Sequence, residues 1–414
     1  MKRLTLETLD NEELLSVKDL VVRFYTYEGI VKAVERANLK LRKGETLGIV
    51  GETGSGKSVT AFTIIALTPS PGRVEGGAVY FRRAQGDVVN IIKLKEVELL
   101  RIRGKEVSMI FQEPNAALDP LYRVGDQIAE AILSHRLPEI LENVIKFVEG
   151  ELRRGRSGFG ARLELWAYRK MLENPKSAIL AILRRIPIIK NLMTRRLKHV
   201  VREEIIELLK LMEIPDPERI IEAYPHELSG GMQQRIMIAI ALACSPVLLL
   251  ADEPTTNLDV TVQAQIIDLI MRLKNKLNMS IIYITHDMGV IAEISDRVAV
   301  MYAGNIVEVA PVKELFNNPL HPYTRALLES IPRPGSPFKS IPGTIPNLVN
   351  PPSGCRFHPR CPYVREACKL EVPELVKVSE DHYVACLLYD GEIYGKYGGH
   401  GRSEEILSDK RRNI

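Results

Sequence analysis

Gly51-Glu52-Thr53-Gly54-Ser55-Gly56-Lys57-Ser58 follows the apolar run Thr46-Leu47-Gly48-Ile49-Val50 and leads into a helix-like stretch from Ser58 to Leu67. The octet is a complete G-x-x-x-x-G-K-[ST] phosphate loop, and a strand before it with a helix after it separates it from a chance glycine-rich turn. Its glycines let backbone N–H groups turn inward around a phosphate chain, while the following helix presents its positive end to the same anion. Lys57 is positioned to reach the β- and γ-phosphates and Ser58 to ligate Mg²⁺. The expected nucleotide contacts are therefore Gly51, Thr53, Gly54, Ser55, Gly56, Lys57, Ser58 and Val59.

Working outward, Leu14 to Phe24 and Val31 to Leu41 alternate apolar and polar residues like two half-exposed strands joined across Tyr27-Glu28-Gly29. Gly77 to Phe81 and Val88 to Ile92 suggest a further hairpin, and Val107 to Phe111 a short buried strand ending at Gln112. From Val124 to Met212 the pattern is helical. After Pro225, Leu228-Ser229-Gly230-Gly231-Met232-Gln233-Gln234-Arg235 opens a helix that Ser229 can cap, with the glycines baring backbone N–H groups at its positive end. Val247 to Ala251 is apolar on both faces, as a central parallel strand should be, and delivers Asp252-Glu253 at its end. A helix over Val260 to Leu277 precedes the strand Ser280 to Thr285, which ends at His286-Asp287. Strands alternating with helices make a parallel α/β sheet whose ligands bind beyond the carboxyl ends of the strands, where Gly51, Asp252 and His286 all fall.

The chain has 414 residues, 45% of them hydrophobic and 26% charged, which is ordinary for a globular protein of about two domains. No apolar run reaches membrane-spanning length, since Ile236 to Ala251 is short and broken by Pro246. Met1 to Glu7 turns acidic at once and has no long apolar core, so no secretory signal is read there and a cytoplasmic location is expected. Charge is unevenly spread. Residues 137–200 hold 14 Lys and Arg against 6 Asp and Glu, more than the whole net surplus of +4. Of the five cysteines, Cys244 is read as a small core residue, whereas Cys355, Cys361, Cys368 and Cys386 crowd together. In a reducing compartment such crowding argues for a metal centre over disulfides.

The ordered set formed by the phosphate loop, Gln112, Leu228 to Gln233, Asp252-Glu253 and His286 resembles the nucleotide-binding subunits of ABC transporters over roughly residues 14 to 310. Phe111-Gln112-Glu113-Pro114, Tyr224-Pro225-His226-Glu227-Leu228, His321-Pro322-Tyr323-Thr324 and Gly354 to Pro362 are similar to the oligopeptide/dipeptide permease branch. The resemblance implies an α/β phosphate-loop ATPase with a parallel sheet core, antiparallel N-terminal strands, a helical subdomain and a small cysteine-rich C-terminal domain. Expected boundaries are an ATPase domain over 1–318 with a basic helical insertion at about 137–200, a C-terminal domain over 319–389, and a polar tail over 390–414.

By that resemblance Glu253 polarises the attacking water, His286 holds the γ-phosphate or the water, and Gln112 contacts Mg²⁺ or the water. Asp252, with Ser58, holds Mg²⁺. Taken singly, the bland readings are a buried ion pair, a core histidine and a strand-end glutamine; only the joint order argues against them. Ser229, Gly230, Gly231 and Gln233 would meet ATP bound to an opposite subunit, with Asn257-Leu258-Asp259 lining the seam. Tyr27 is the expected adenine-stacking aromatic, with Phe24 and Tyr25 competing. Similar chains carry a [4Fe–4S] cluster on four cysteines matching Cys355, Cys361, Cys368 and Cys386, with zinc as the alternative metal here. The implied setting is the cytoplasmic membrane face, where the chain energises peptide import beside a second, different ATPase, two permease subunits and an external binding protein. Oligosaccharide or nickel uptake is the alternative cargo. A DNA-repair ABC ATPase would need long coiled coils or paired C-x-x-C modules, which are absent, so no nucleic-acid partner is expected. The basic segment 137–200 is a candidate contact for anionic lipid, against the plainer reading of solvated helices.

Overall fold

Alternation builds the first sheet of the computed structural model, which describes residues 9–154, 159–173, 187–256, 258–332 and 340–390. The chain divides into two units, one comprising Met1–Arg103, Val247–Glu253 and Ile270–Ile414, the other Gly104–Pro246 and Pro254–Leu269.

The first unit begins with β1 (Glu13–Thr26), β2 (Gly29–Arg42), β3 (Thr46–Val50), α1 (Lys57–Ile64), β4 (Gly72–Arg82), β5 (Val88–Asn90) and α2 (Glu96–Ile102). An antiparallel sheet runs in the order β2-β1-β4-β5. A strict period of two would send Val17 and Leu20 to opposite faces of β1. Asp19, at φ 43°, falls where the register of β1 shifts between Val17 and Leu20, and both side chains are buried. The hairpin expected from Gly77 starts five residues earlier, at Gly72, because β4 also pairs along β1.

The second unit supplies β6 (Val107–Ile110), α3 (Pro114–Ala117), α4 (Val124–Arg153), α5 (Phe159–Glu173), α6 (Pro187–Leu211), α7 (Pro217–Ile220) and α8 (Gly230–Leu242). Helix α4 packs on α5 and α6, burying Ile128 and Ile132, then Ile140, Val144 and Val148, at spacings of four that keep one stripe inward. Part of the basic surplus is answered inside this helical region. Arg169 pairs with Glu149 at 2.7 Å, and Arg196 with both Glu151 and Glu164 at 2.9 Å. Residues 155–158 and 174–186 of the expected insertion lie outside the described residues. Cys244 is half-buried, its thiol donating to Ala131 O at 3.6 Å.

The chain continues through β7 (Leu248–Asp252), α9 (Val260–Leu277), β8 (Ser280–Thr285), α10 (Met288–Ile294), β9 (Arg297–Tyr302), β10 (Asn305–Pro311), α11 (Val312–Asn317), α12 (Pro322–Glu329), α13 (Glu366–Leu370), β11 (Val376–Ser379) and β12 (His382–Val384). Within the first unit a large sheet runs β11-β12-β10-β9-β3-β8-β7. Strands β9, β3, β8 and β7 are parallel and every residue in them is buried, as expected of strands covered on both faces. Val50 pairs with Thr285 and Asp252 with Ile284, so the phosphate loop, Asp252-Glu253 and His286 leave the sheet at one edge. The C-terminal segment extends the same sheet, β12 pairing antiparallel with β10 and β11 with β12. Buried Glu308 fastens it, accepting from Leu320 N and His321 N at 2.8 Å each and bonding His382 Nε2 at 2.8 Å. Among the described residues no helix is long and apolar enough to cross a membrane. The tail beyond Asp390 lies outside the described residues.

Candidate active site

Lys57, at the first position of α1, donates through Nζ to Gly51 O at 2.8 Å and Glu52 O at 3.1 Å. Ser58 Oγ donates to Asp252 Oδ1 at 3.0 Å. Burial pushes the Lys57 amine below its ordinary range, against the pull of Glu253, Asp252 and Glu52. The same cause pushes the Asp252 carboxyl up, opposed by the Ser58 hydrogen bond. A triphosphate beside Lys57 and a hard cation between the Ser58 and Asp252 oxygens would supply the missing counter-charges, so these oxygen donors fit Mg²⁺. Glycine is required at two points. Gly56 sits at φ 103°, and a Cβ there would come 2.6 Å from Ala33 O; at Gly51 it would come 2.1 Å from Met301 O. The loop packs that closely because Gly304 N also donates to Ser55 O at 2.8 Å. Thr53 and Gly54 are exposed, Ser55 is buried and Val59 half-buried.

Glu253 leaves β7 at φ 46°, its N–H donating to Ile284 O at 2.9 Å on the neighbouring strand. That turn brings its Oε2 to 3.2 Å from His286 Nδ1. Thr285 Oγ1 accepts from Asp287 N at 3.0 Å and Asp287 Oδ1 caps α10 through Gly289 N at 2.7 Å, which fixes the backbone around His286. A carboxylate held against an imidazole, one strand away from a lysine and a metal-ready oxygen pair, can orient a water toward a terminal phosphate.

The other expected contacts lie elsewhere in the chain. Gln112 follows β6 in the second unit and is exposed. In the same unit Ser229 caps α8, its Oγ accepting from Met232 N at 3.4 Å, and Ser229 and Gly230 are exposed. Gly231 leaves no slack, since a Cβ would come 3.0 Å from Val262 Cγ1. Gln233 is buried and donates to Pro225 O at 2.8 Å, so its amide secures the turn before the helix. Asp259 Oδ1 accepts from Val262 N at 2.9 Å and caps α9, while Asn257 lies outside the described residues. Of the three aromatics, Tyr27 is fully exposed at the β1–β2 turn. Tyr25 is engaged by Arg73, whose guanidinium lies 5.4 Å from the ring centre, and by Glu75.

Cys355, Cys361, Cys368 and Cys386 line one small cavity together with His321 and Phe357. Cys355 N donates to Cys368 O at 2.8 Å, closing this loop-rich segment on itself. Burial pushes the thiols of Cys355 and Cys386 up to about 12 and raises that of Cys361. Among the described residues no group of three or more His, Cys, Asp or Glu is arranged to hold a metal ion.

Sequence reading passed over three residues that meet at the loop. Tyr323 OH accepts from Glu52 N at 2.9 Å, and Arg360 pairs with the Glu52 carboxylate at 2.9 Å. No local pattern announces a contact spanning 271 or 308 residues.

Sheet, loop and strand-end carboxylates define a phosphate-loop nucleotide hydrolase. Residues 34–256 match the family described as "ABC transporter", and residues 307–368 the family described as "Oligopeptide/dipeptide transporter, C-terminal region". The oligopeptide transport ATP-binding protein OppD of Bacillus subtilis is 41% identical over 90% of this chain and 87% of its own length. The dipeptide transport ATP-binding protein DppD of the same organism is 39% identical over 92% of this chain and 96% of its own length. A dimeric ATP-binding cassette in a post-hydrolysis state with ADP and Pi shares the fold at TM-score 0.50 and 24% identity, covering 72% of this chain and 99% of that one. The chain belongs to the ABC transporter family of ATP-binding proteins, in its oligopeptide/dipeptide branch.

Proposed function

We propose that this chain is the ATP-hydrolysing subunit of a peptide importer whose membrane-spanning part is supplied by separate permease subunits. One conjunction carries the reading. Lys57, Ser58, Asp252, Glu253 and His286 stand at one sheet edge, in a chain whose residues 307–368 match the C-terminal region of oligopeptide and dipeptide transporters. In this reading Ser58 and Asp252 hold Mg²⁺, Glu253 polarises water and His286 orients it. Ser229 and Gly231 complete the nucleotide site of a second, non-identical ATPase subunit, and Tyr27 stacks on adenine. The assembly sits at the cytoplasmic face of the membrane, and an external binding protein selects the cargo. The names of OppD and DppD support peptides as that cargo. The test is to assemble the chain with its permeases and second ATPase and measure ATP hydrolysis. A peptide-loaded binding protein should raise the rate. Stimulation by nickel or an oligosaccharide instead of peptide would replace the substrate assignment.

We also propose a [4Fe–4S] centre on Cys355, Cys361, Cys368 and Cys386. Support comes from the four thiols lining one cavity and from their C-x5-C-x6-C-x17-C spacing, which lacks the paired C-x2-C knuckles of zinc ribbons. Its distance in sequence from the hydrolysis residues favours a structural or redox role. Anaerobic purification should give brown protein with about four irons and four sulfides per chain, lost in Cys361→Ser. Stoichiometric zinc without acid-labile sulfide would overturn the cluster.

A further inference from the structure

Glu52, the second residue of the phosphate loop, is held at every polar group it has. Its carbonyl accepts from Ser55 N and from Lys57 Nζ, both at 3.1 Å, and thus shapes the loop from within. Its other two groups are held from outside. Tyr323 OH, from the first turn of α12, accepts the Glu52 N–H at 2.9 Å. Arg360 grips the carboxylate with two nitrogens, Nη1 to Oε2 at 2.9 Å and Nη2 to Oε1 at 3.2 Å.

Neither partner is free to wander. The Arg360 side chain is 5% exposed, its Nε donates to Pro342 O at 2.7 Å and its Nη1 to Tyr302 OH at 3.3 Å. The guanidinium also lies over the rings of Tyr302 at 5.7 Å and Phe357 at 6.0 Å. Tyr323 is fully buried, with ring centres 4.6 Å from Tyr302 and 5.5 Å from Phe357. Three aromatic rings and a clamped arginine therefore form a packed backing that touches the phosphate loop at Glu52.

The geometry points to Arg360 and Tyr323 as positioning residues that keep the N-terminal turn of the phosphate loop in its nucleotide-binding shape, so that the cysteine-rich segment sets nucleotide affinity. The inference rests on the ATP-binding reading above. A bidentate ion pair largely screened from water is strongly directional, and removing one member leaves the other charge without its partner. A loop already held in its bound shape has less freedom to lose when the phosphates arrive, and that difference appears in affinity more than in the rate of a bound complex. Arg360 immediately precedes Cys361, so whatever orders the four-cysteine cavity also orders the backing of the loop.

MgATP titration of the full chain, read by calorimetry beside steady-state hydrolysis by the assembled transporter, tests this. Glu52→Gln and Arg360→Gln should each weaken MgATP binding about tenfold, equivalent to about 1.4 kcal/mol. The double variant should be no weaker than either single one, because both remove the same interaction. Arg360→Lys should recover part of the loss, and Tyr323→Phe, which deletes one hydroxyl from a packed ring, should weaken binding without changing the fold seen by circular dichroism. In each case KM for ATP should rise while kcat at saturating ATP stays within about twofold. Unchanged affinity in both single variants, or a double variant that loses the sum of the two, would overturn the positioning role. Lys57→Ala separates the two levels. Wild-type chain that binds no MgATP, or binds it as Lys57→Ala does, would refute the nucleotide site itself, whereas a wild-type response lost in Lys57→Ala but untouched at Glu52 and Arg360 would refute only the backing.

Discussion

Lowering the pH should loosen the backing of the phosphate loop through one buried imidazole. His321 caps α12, its Nδ1 accepting from Tyr323 N at 3.0 Å, and its ring is 1% exposed. Burial pushes its pKa from the ordinary 6.5 down to about 4, with Glu308 pulling the other way and Arg325 adding to the drop. Protonation would also turn the Nδ1 acceptor into a donor aimed at the Tyr323 N–H. The unfolded chain takes up this proton near pH 6.5 and the folded chain only near 4, so between those values the unfolded state binds more protons. The contribution is complete above pH 6.5, falls away as the pH drops toward 4 and changes no further below that. A gap of about 2.5 units at 1.36 kcal/mol each corresponds to about 3 kcal/mol. Urea denaturation of wild type and His321→Asn, in which an amide oxygen can still accept from Tyr323 N, should be compared at pH 7, 6, 5 and 4.5. Because the lowest point stops short of pH 4, the variant should lose about 2 kcal/mol less stability than wild type across the range. Parallel curves for the two proteins would refute the argument.

Three further outcomes follow from the site and the surface. Gly56→Ala should abolish tight MgATP binding, because the loop requires φ 103° there and the added methyl meets Ala33 O at 2.6 Å; retention of wild-type affinity in a titration would count against the loop geometry. Full chain should sediment with anionic but not neutral vesicles in a salt-sensitive way, each exposed cation of residues 137–200 adding about 1 kcal/mol near the surface. Deleting that segment should abolish the effect; unchanged binding would leave the solvated-helix reading.

What was legible in the sequence was whatever depends on neighbours along the chain. The loop octet, the buried strand ending in Asp252-Glu253 and the strand Ser280–Thr285 carry their signals within a few residues, and parallel pairing then brings Glu253 to His286 without further information. The cap at Ser229 was readable for the same reason. The ties from Glu52 to Tyr323 and Arg360 were not, since they join points 271 and 308 residues apart and depend on how α12 and the cysteine-rich segment fold back. The strand β9 was passed over although Val298 to Tyr302 is an unbroken apolar run, the mark of a strand buried on both faces. Clustering of the last four cysteines was visible in their spacing, but the company of His321 and Phe357 in their cavity was not.

The most direct test of the central claim is ATP-driven peptide uptake into proteoliposomes holding the assembled transporter, comparing wild type with Glu253→Gln in every ATPase subunit. The amide keeps the size of the side chain but loses the charge that polarises water, so MgATP binding should persist while hydrolysis and uptake fall together by about 10²-fold or more. Sustained peptide accumulation by the variant, or wild-type hydrolysis that moves no peptide in the complete assembly, would contradict the account.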